Sequence, residues 1–105
     1  MKPHSPFAWR KDRNHAAVVE AFRRAGCSVV VIDSAHPSGC PDLLIGAAGH
    51  DHLVEVKDGS KSPSRRALSP GQVEFAAAWR GARPVVVESA VEAFELGRRL
   101  RDVRD

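Results

Sequence analysis

A helix that carries its own start signal lies between two strand-like runs, and this constrains the fold more than any other feature of the chain. Ser69 suits an N-cap, Pro70 the first helical position, and Gln72 the third, where its side chain can close a capping box. Gln72, Phe75, Ala76 and Trp79 then form the apolar-side stripe of this helix, with Trp79 expected in the core. "HLVEVK" precedes it and "PVVVE", Pro84 to Glu88, follows. A strand–helix–strand crossover returns parallel and right-handed, so these two strands are predicted to run in the same direction in one sheet.

The remaining elements fall around that unit. From about Asp12 to Ala25, His15, Val18, Val19 and Phe22 recur at helical spacing and Gly26 supplies the stop, so His15 is predicted to face the core side and Glu20 to point away. "SVVVID", Ser28 to Asp33, is a β-branched run that reads as a strand covered on both faces. "SAHPSGCP" is a loop. "DLLIG" and "HLVEVK", separated by "AAGHD", have the pattern of a hairpin with a loop of several residues. "DGSKSPSRRAL" is a basic breaker segment. A second capping box, Ser89 with Glu92, opens a last helix with Ala93, Leu96, Leu100 and Val103 near one face. The predicted order is αβββαβα: an α/β fold with a mixed four-stranded sheet and helices on both faces.

With 105 residues, 43% hydrophobic and 28% charged, the chain has the composition of one soluble domain spanning 1–105. Residues 1–11 carry two prolines and no periodicity and read as a flexible basic arm. No apolar run approaches the span of a bilayer and the N-terminus lacks the apolar segment of a signal peptide, which points to a cytoplasmic protein without a membrane partner. Cys27 and Cys40 have no CxxC spacing, so they are expected as reduced, half-buried thiols. The net charge is only +3, but the cations cluster: Arg10, Lys11, Arg13, Arg23 and Arg24 early, Lys57, Lys61, Arg65 and Arg66 in the middle, Arg98, Arg99, Arg101 and Arg104 late. Such clusters suit a phosphate backbone and also occur on ordinary solvated helix faces.

The hairpin places ionisable groups among Leu, Ile and Val, where charge is costly to bury. A turn centred between Ala48 and Gly49 pairs residues whose numbers sum to 97, setting Asp42 opposite Glu55, Leu44 opposite Leu53 and Leu43 opposite Val54. Side-chain alternation then puts Asp42, Leu44, Leu53, Glu55 and Lys57 on one face and Leu43, Ile45, Val54 and Val56 on the other. An E-x-K pair alone usually marks the wet side of an edge strand. Here the carboxylate face also carries two leucines, and two like charges oppose each other. A hard divalent cation resolves that repulsion, since Mg2+ takes one or two carboxylates, waters and phosphate oxygens. Lys57, one side-chain step beyond Glu55, would face the point of attack and stabilise charge building on phosphoryl oxygens.

At these residues the sequence resembles a known family. "PD", twelve residues, then "EVK" is similar to the PD-(D/E)XK nuclease signature, and "GCPDLLIG", "LVEVKDG" and "LSPGQVEF" resemble its VRR-NUC branch, which includes small phage and bacterial proteins and is related to Holliday junction resolvases. The resemblance spans about Arg10 to Leu100. It implies a restriction-endonuclease-like core and divalent-metal-dependent DNA cleavage, with Asp42 and Glu55 as ligands, Val56 lending its carbonyl, Lys57 as the catalytic cation, and Gln72 reaching in from the second helix. Gln72 also serves the capping box, and both roles can hold at once. Relatives usually carry a glutamate on the first helix at the position of His15, which cannot offer the same hard oxygen ligand. For His15 the readings are a metal ligand, a residue that orients water, or a space filler.

Other groups carry weaker signals. His50 and His52 flank Asp51 at the hairpin tip, with His36 in a nearby loop, and loop-tip histidines are usually just solvated. Cys40, Ser34 and Ser38 lack the surroundings of a nucleophile. Trp9 could stack on a base. The expected activity is a Mg2+- or Mn2+-dependent DNA endonuclease, structure-selective for branched DNA, acting as a homodimer, with Lys61, Arg65 and Arg66 and then Arg10, Lys11 and Arg13 against the DNA backbone. Its rival is a nucleic-acid-binding module that keeps the fold without turnover, for which His15 is the motivating residue.

Overall fold

The computed structural model describes residues 6–32 and 39–103, with side chains of the first helix from Asn14 onward. The elements are α1 (Pro6–Arg24), β1 (Ser28–Val31), β2 (Leu43–Ala47), β3 (His50–Val56), a 3-10 turn (Pro63–Arg65), α2 (Pro70–Ala78), β4 (Val85–Val87) and α3 (Ala90–Arg101). Their order is the αβββαβα read from the sequence. The sheet runs β1-β2-β3-β4, antiparallel for the first two pairs and parallel for β3 with β4. The α2 crossover therefore returns as a strand–helix–strand unit requires.

One face of the sheet holds the core. Val18 and Phe22 of α1 and Leu43, Ile45 and Val54 of β2 and β3 are fully buried, each worth about 1.5–3 kcal/mol of burial. Helix α3 joins through Ala93, with Leu96 and Leu100 packed at the margin. The approach of α3 to α1 depends on Gly97, where an added Cβ would stand 2.7 Å from the Ala25 Cβ and 3.3 Å from Cys27 Sγ. Helix α2 covers the opposite face over β3 and β4, where Gln72, Phe75 and Ala76 lie against Glu55 and Val86.

Several details differ from the sequence reading. Helix α1 begins at Pro6 rather than near Asp12. Proline is acceptable at a first helical position, and nothing between it and Asp12 breaks a helix, so the absence of apolar periodicity there did not mean coil. The helix ends as expected. Cys27 N–H donates to Phe22 O and Gly26 N–H to Arg23 O around Gly26 at φ +97°, a Schellman motif.

Strand β1 is an edge strand rather than one covered on both faces: Val30 and Val31 are 57% and 53% exposed. A β-branched run does not distinguish an edge from an interior place. Asp33 and the loop residues Ser34, His36 and Ser38 lie outside the described residues. The hairpin loop is only two residues, because Ala47 pairs with His50 across Ala48 (φ +53°) and Gly49 (φ +79°). Two positive φ values are those of a type I′ turn, which matches strand twist, and strand pairing extends into the segment expected as loop.

Trp79 caps the end of α2, 47% exposed, with its ring stacked on Phe75 at 5.4 Å rather than buried in the core. Helix α3 stops at Arg101, leaving Val103 48% exposed. Its N-cap bond from Glu92 N–H to Ser89 Oγ forms, but the Glu92 carboxylate accepts from Glu88 N–H rather than returning to Ser89.

Candidate nuclease site at the ends of β2 and β3

The β2–β3 register is the one expected, with Leu43 opposite Val54 and Leu44 opposite Leu53. One residue further, it sets Asp42 opposite Glu55. The Asp42 carbonyl accepts from Ile32 N–H on the β1 side, while Lys57 N–H donates to Val87 O on the β4 side. Main-chain groups two residues apart on a strand point the same way, so Glu55 also turns its main chain toward β4. Asp42 and Glu55 thus form the kind of opposed pair that lacks mutual main-chain bonds, in which side chains stand closer.

Asp42 is held by its own side chain as well. Its Oδ2 accepts from Val56 N–H at 2.8 Å, closing the end of β3 where β2 has run out of ladder partners. Ahead of it, Gly39 has φ +74°, and an added Cβ would come within 2.3 Å of Gly71 O in the first turn of α2. Only glycine fits there. The loop before Asp42 is thereby locked against the helix that supplies Gln72.

Glu55 is 6% exposed, a carboxylate taken almost wholly out of water. Removing a charge from water costs several kcal/mol unless partners replace the hydration. Gln72 Nε2 donates to Glu55 Oε2 at 2.7 Å, and the Lys57 ammonium stands 3.8 Å from the same oxygen. Gln72 Oε1 accepts from Lys57 Nζ at 2.8 Å and from Ser69 N–H at 2.8 Å. This fixes the amide's orientation, since exchanging its oxygen and nitrogen would turn an NH2 group onto an ammonium. The two sequence readings of Gln72 are satisfied together: one amide completes the capping box, with Gln72 N–H on Ser69 Oγ at 3.2 Å, and bridges Glu55 to Lys57.

Cys40 senses this arrangement. Burial pushes its thiol pKa up, and the negative charges of Glu55 and then Asp42 push it in the same direction, so both carboxylates act on one thiol beside them. Among the described residues no three His, Cys, Asp or Glu side chains converge as a metal cluster.

No family model matches the chain, and no curated protein resembles it significantly. A solved structure described as a VRR_NUC domain does, at 30% identity over 81% of this chain and 90% of that one, with a TM-score of 0.60. The chain belongs to the VRR-NUC family. It is therefore a nuclease-family domain of the PD-(D/E)XK kind, as its signature residues implied.

Within this VRR-NUC domain the other candidates are distributed as follows. His15 lines an open groove of about 420 Å³ with Val19, Glu20, Arg23 and Val31, beside β1. Among the described side chains of α1, Asn14 bonds to the β3 end, its Nδ2 donating to Lys57 O at 3.0 Å. Arg65 is exposed and Lys61 partly so. Arg66 is engaged by the protein: its Nε donates to Lys61 O at 2.9 Å and its Nη1 lies 3.3 Å from both Glu88 oxygens. The side chains of Arg10, Lys11 and Arg13 lie outside the described residues. Sequence reading missed Asn14 and the Arg66–Glu88 pair. A lone polar residue before an apolar stripe and a contact across 22 residues leave no local pattern.

Proposed function

We propose that this VRR-NUC domain hydrolyses DNA phosphodiester bonds with a divalent cation, through Asp42, Glu55, Lys57 and Gln72. The observation that carries the reading is the Gln72 amide, which joins a buried carboxylate and a lysine ammonium into one bonded unit on the face where Asp42 opposes Glu55. The donor set fits a hard cation, Mg2+ or Mn2+. The strand register sets Asp42 opposite Glu55, and the Val56 carbonyl points to the same neighbouring strand as its N–H, the group bonded to Asp42. Such a cation supplies positive charge for the phosphate oxygens and for the nucleophile.

The chain's own residues do the rest. Gln72 holds Glu55 in place and accepts one N–H of Lys57, so the ammonium does not close directly on the carboxylate. Its two other N–H groups can then be offered to phosphoryl oxygens as negative charge develops. Lys61 and Arg65, on the segment between Lys57 and α2, are assigned to the DNA backbone, with Arg10, Lys11 and Arg13 contributing from the start of α1. The reading extends to a homodimer that sets two sites across a duplex or junction, checked by sedimentation with and without DNA. For His15 as a further ligand, a His15→Ala protein should bind Mn2+ more weakly.

The test is cleavage of supercoiled, linear and four-way-junction DNA with Mg2+ or Mn2+, beside Glu55→Ala. Metal-dependent nicking that disappears in Glu55→Ala is the expected result, and preference for the junction would establish structure selectivity. The second reading, a DNA-binding module without turnover, is favoured by Asn14, the described α1 side chain at the β3 end, being an amide rather than a carboxylate. It predicts DNA retention with no cutting in either metal.

A further inference from the structure

We propose that Asn14 is a positioning residue that sets the backbone pose of Lys57, an inference that rests on the catalytic role given to Lys57 above. Lys57 is the first residue past β3, so the sheet alone does not hold it on all sides. Three elements hold it instead. Strand β4 takes its N–H at Val87 O, 2.9 Å; α2 takes its ammonium at Gln72 Oε1, 2.8 Å; and α1 reaches its carbonyl through Asn14 Nδ2 at 3.0 Å. The Asn14 bond spans 43 residues of sequence and joins the core face of the sheet to the site face.

The bond matters because Lys57 Nζ is the far end of a flexible stem whose aim begins at its own main chain. Its side chain is 17% exposed and already shares Gln72 with Glu55, so a small rotation of the Lys57 peptide moves the ammonium and strains the amide bridge. Misplacement of a reacting group by about 1 Å can cost roughly 100-fold in rate. Asn14 touches neither carboxylate oxygen nor ammonium in the bonds that define the site, and so acts through Lys57.

The experiment compares wild type with Asn14→Ala, Asn14→Asp, which keeps the size but has no N–H to donate, and Asn14→Gln, which returns the amide on a longer arm. Asn14→Ala and Asn14→Asp should slow single-turnover cleavage by roughly 10- to 100-fold with KM and Mn2+ affinity held, and Asn14→Gln should recover part of the rate. The side-chain amide resonances of Gln72 read the same geometry without turnover, and they should shift in Asn14→Ala and Asn14→Asp. Unchanged Gln72 resonances in a folded Asn14→Ala protein overturn the proposal, as does an Asn14→Asp protein that cuts faster and binds Mn2+ more tightly, since position 14 would then be a ligand site. Should wild type cut no DNA, the hydrolytic reading fails while the Gln72 resonances still decide the anchor.

Discussion

Gln72 shows how much one side chain can decide in this domain. Its amide oxygen accepts from both a helix N-cap and a lysine, and its nitrogen donates to a carboxylate that is nearly out of water. The helix start and the site are consequently one structure: the capping-box signal in the sequence pointed at the first, and the family resemblance at the second. Ala48 is the contrasting case. It occupies a left-handed conformation at φ +53° where Asn is far more comfortable, at a cost of about 1 kcal/mol for a residue with Cβ and no compensating side-chain bond. Ala48→Asn should therefore raise stability by about 1 kcal/mol, seen as a melting temperature several degrees higher, with cleavage unchanged because the turn lies at the far end of the hairpin.

Among the elements, α1 and α3 owe their contact to Gly97. An added methyl there would press on the Ala25 Cβ at 2.7 Å, just past the end of α1, and at 3.3 Å on the Phe22 ring of its buried side. Gly97→Ala should destabilise the domain by about 1–3 kcal/mol, the usual cost of overpacking a tight core, despite alanine's better helix propensity; a denaturant midpoint checks it. The helix stripe around Val18, Val19 and Phe22 was legible from the sequence because burial on one face imposes a period. The tolerance of α3 for so close a partner was not, since Gly97 within a helical run looks like any helix-weakening glycine.

For the whole molecule, the question is which cations remain available to a polyanion. Arg66 is committed to Glu88 and to the Lys61 carbonyl and ties the loop after β3 to the end of β4, whereas Arg65 faces solvent. Arg65→Ala and Lys61→Ala should each weaken DNA binding across sequences and reduce the salt slope by about one, while Arg66→Ala should act mainly by lowering thermal stability. Binding isotherms at several salt concentrations, set beside melting curves, separate the two effects. No helix among the described residues is long and apolar enough to cross a membrane.

The order of elements, the hairpin register that opposes Asp42 to Glu55, the parallel crossover and both helix N-caps follow from local rules: apolar period, caps and turn spacing act between near neighbours and leave their mark in the string of residues. The edge position of β1, the exposure of Trp79, the engagement of Arg66 and the reach of Asn14 to Lys57 do not. Each depends on how far one packed layer extends over another, or on which distant group has an unfilled hydrogen-bonding need. Those are fixed only when the layers close on each other, because burial and hydrogen-bond satisfaction are settled over the whole enclosed volume rather than along the chain.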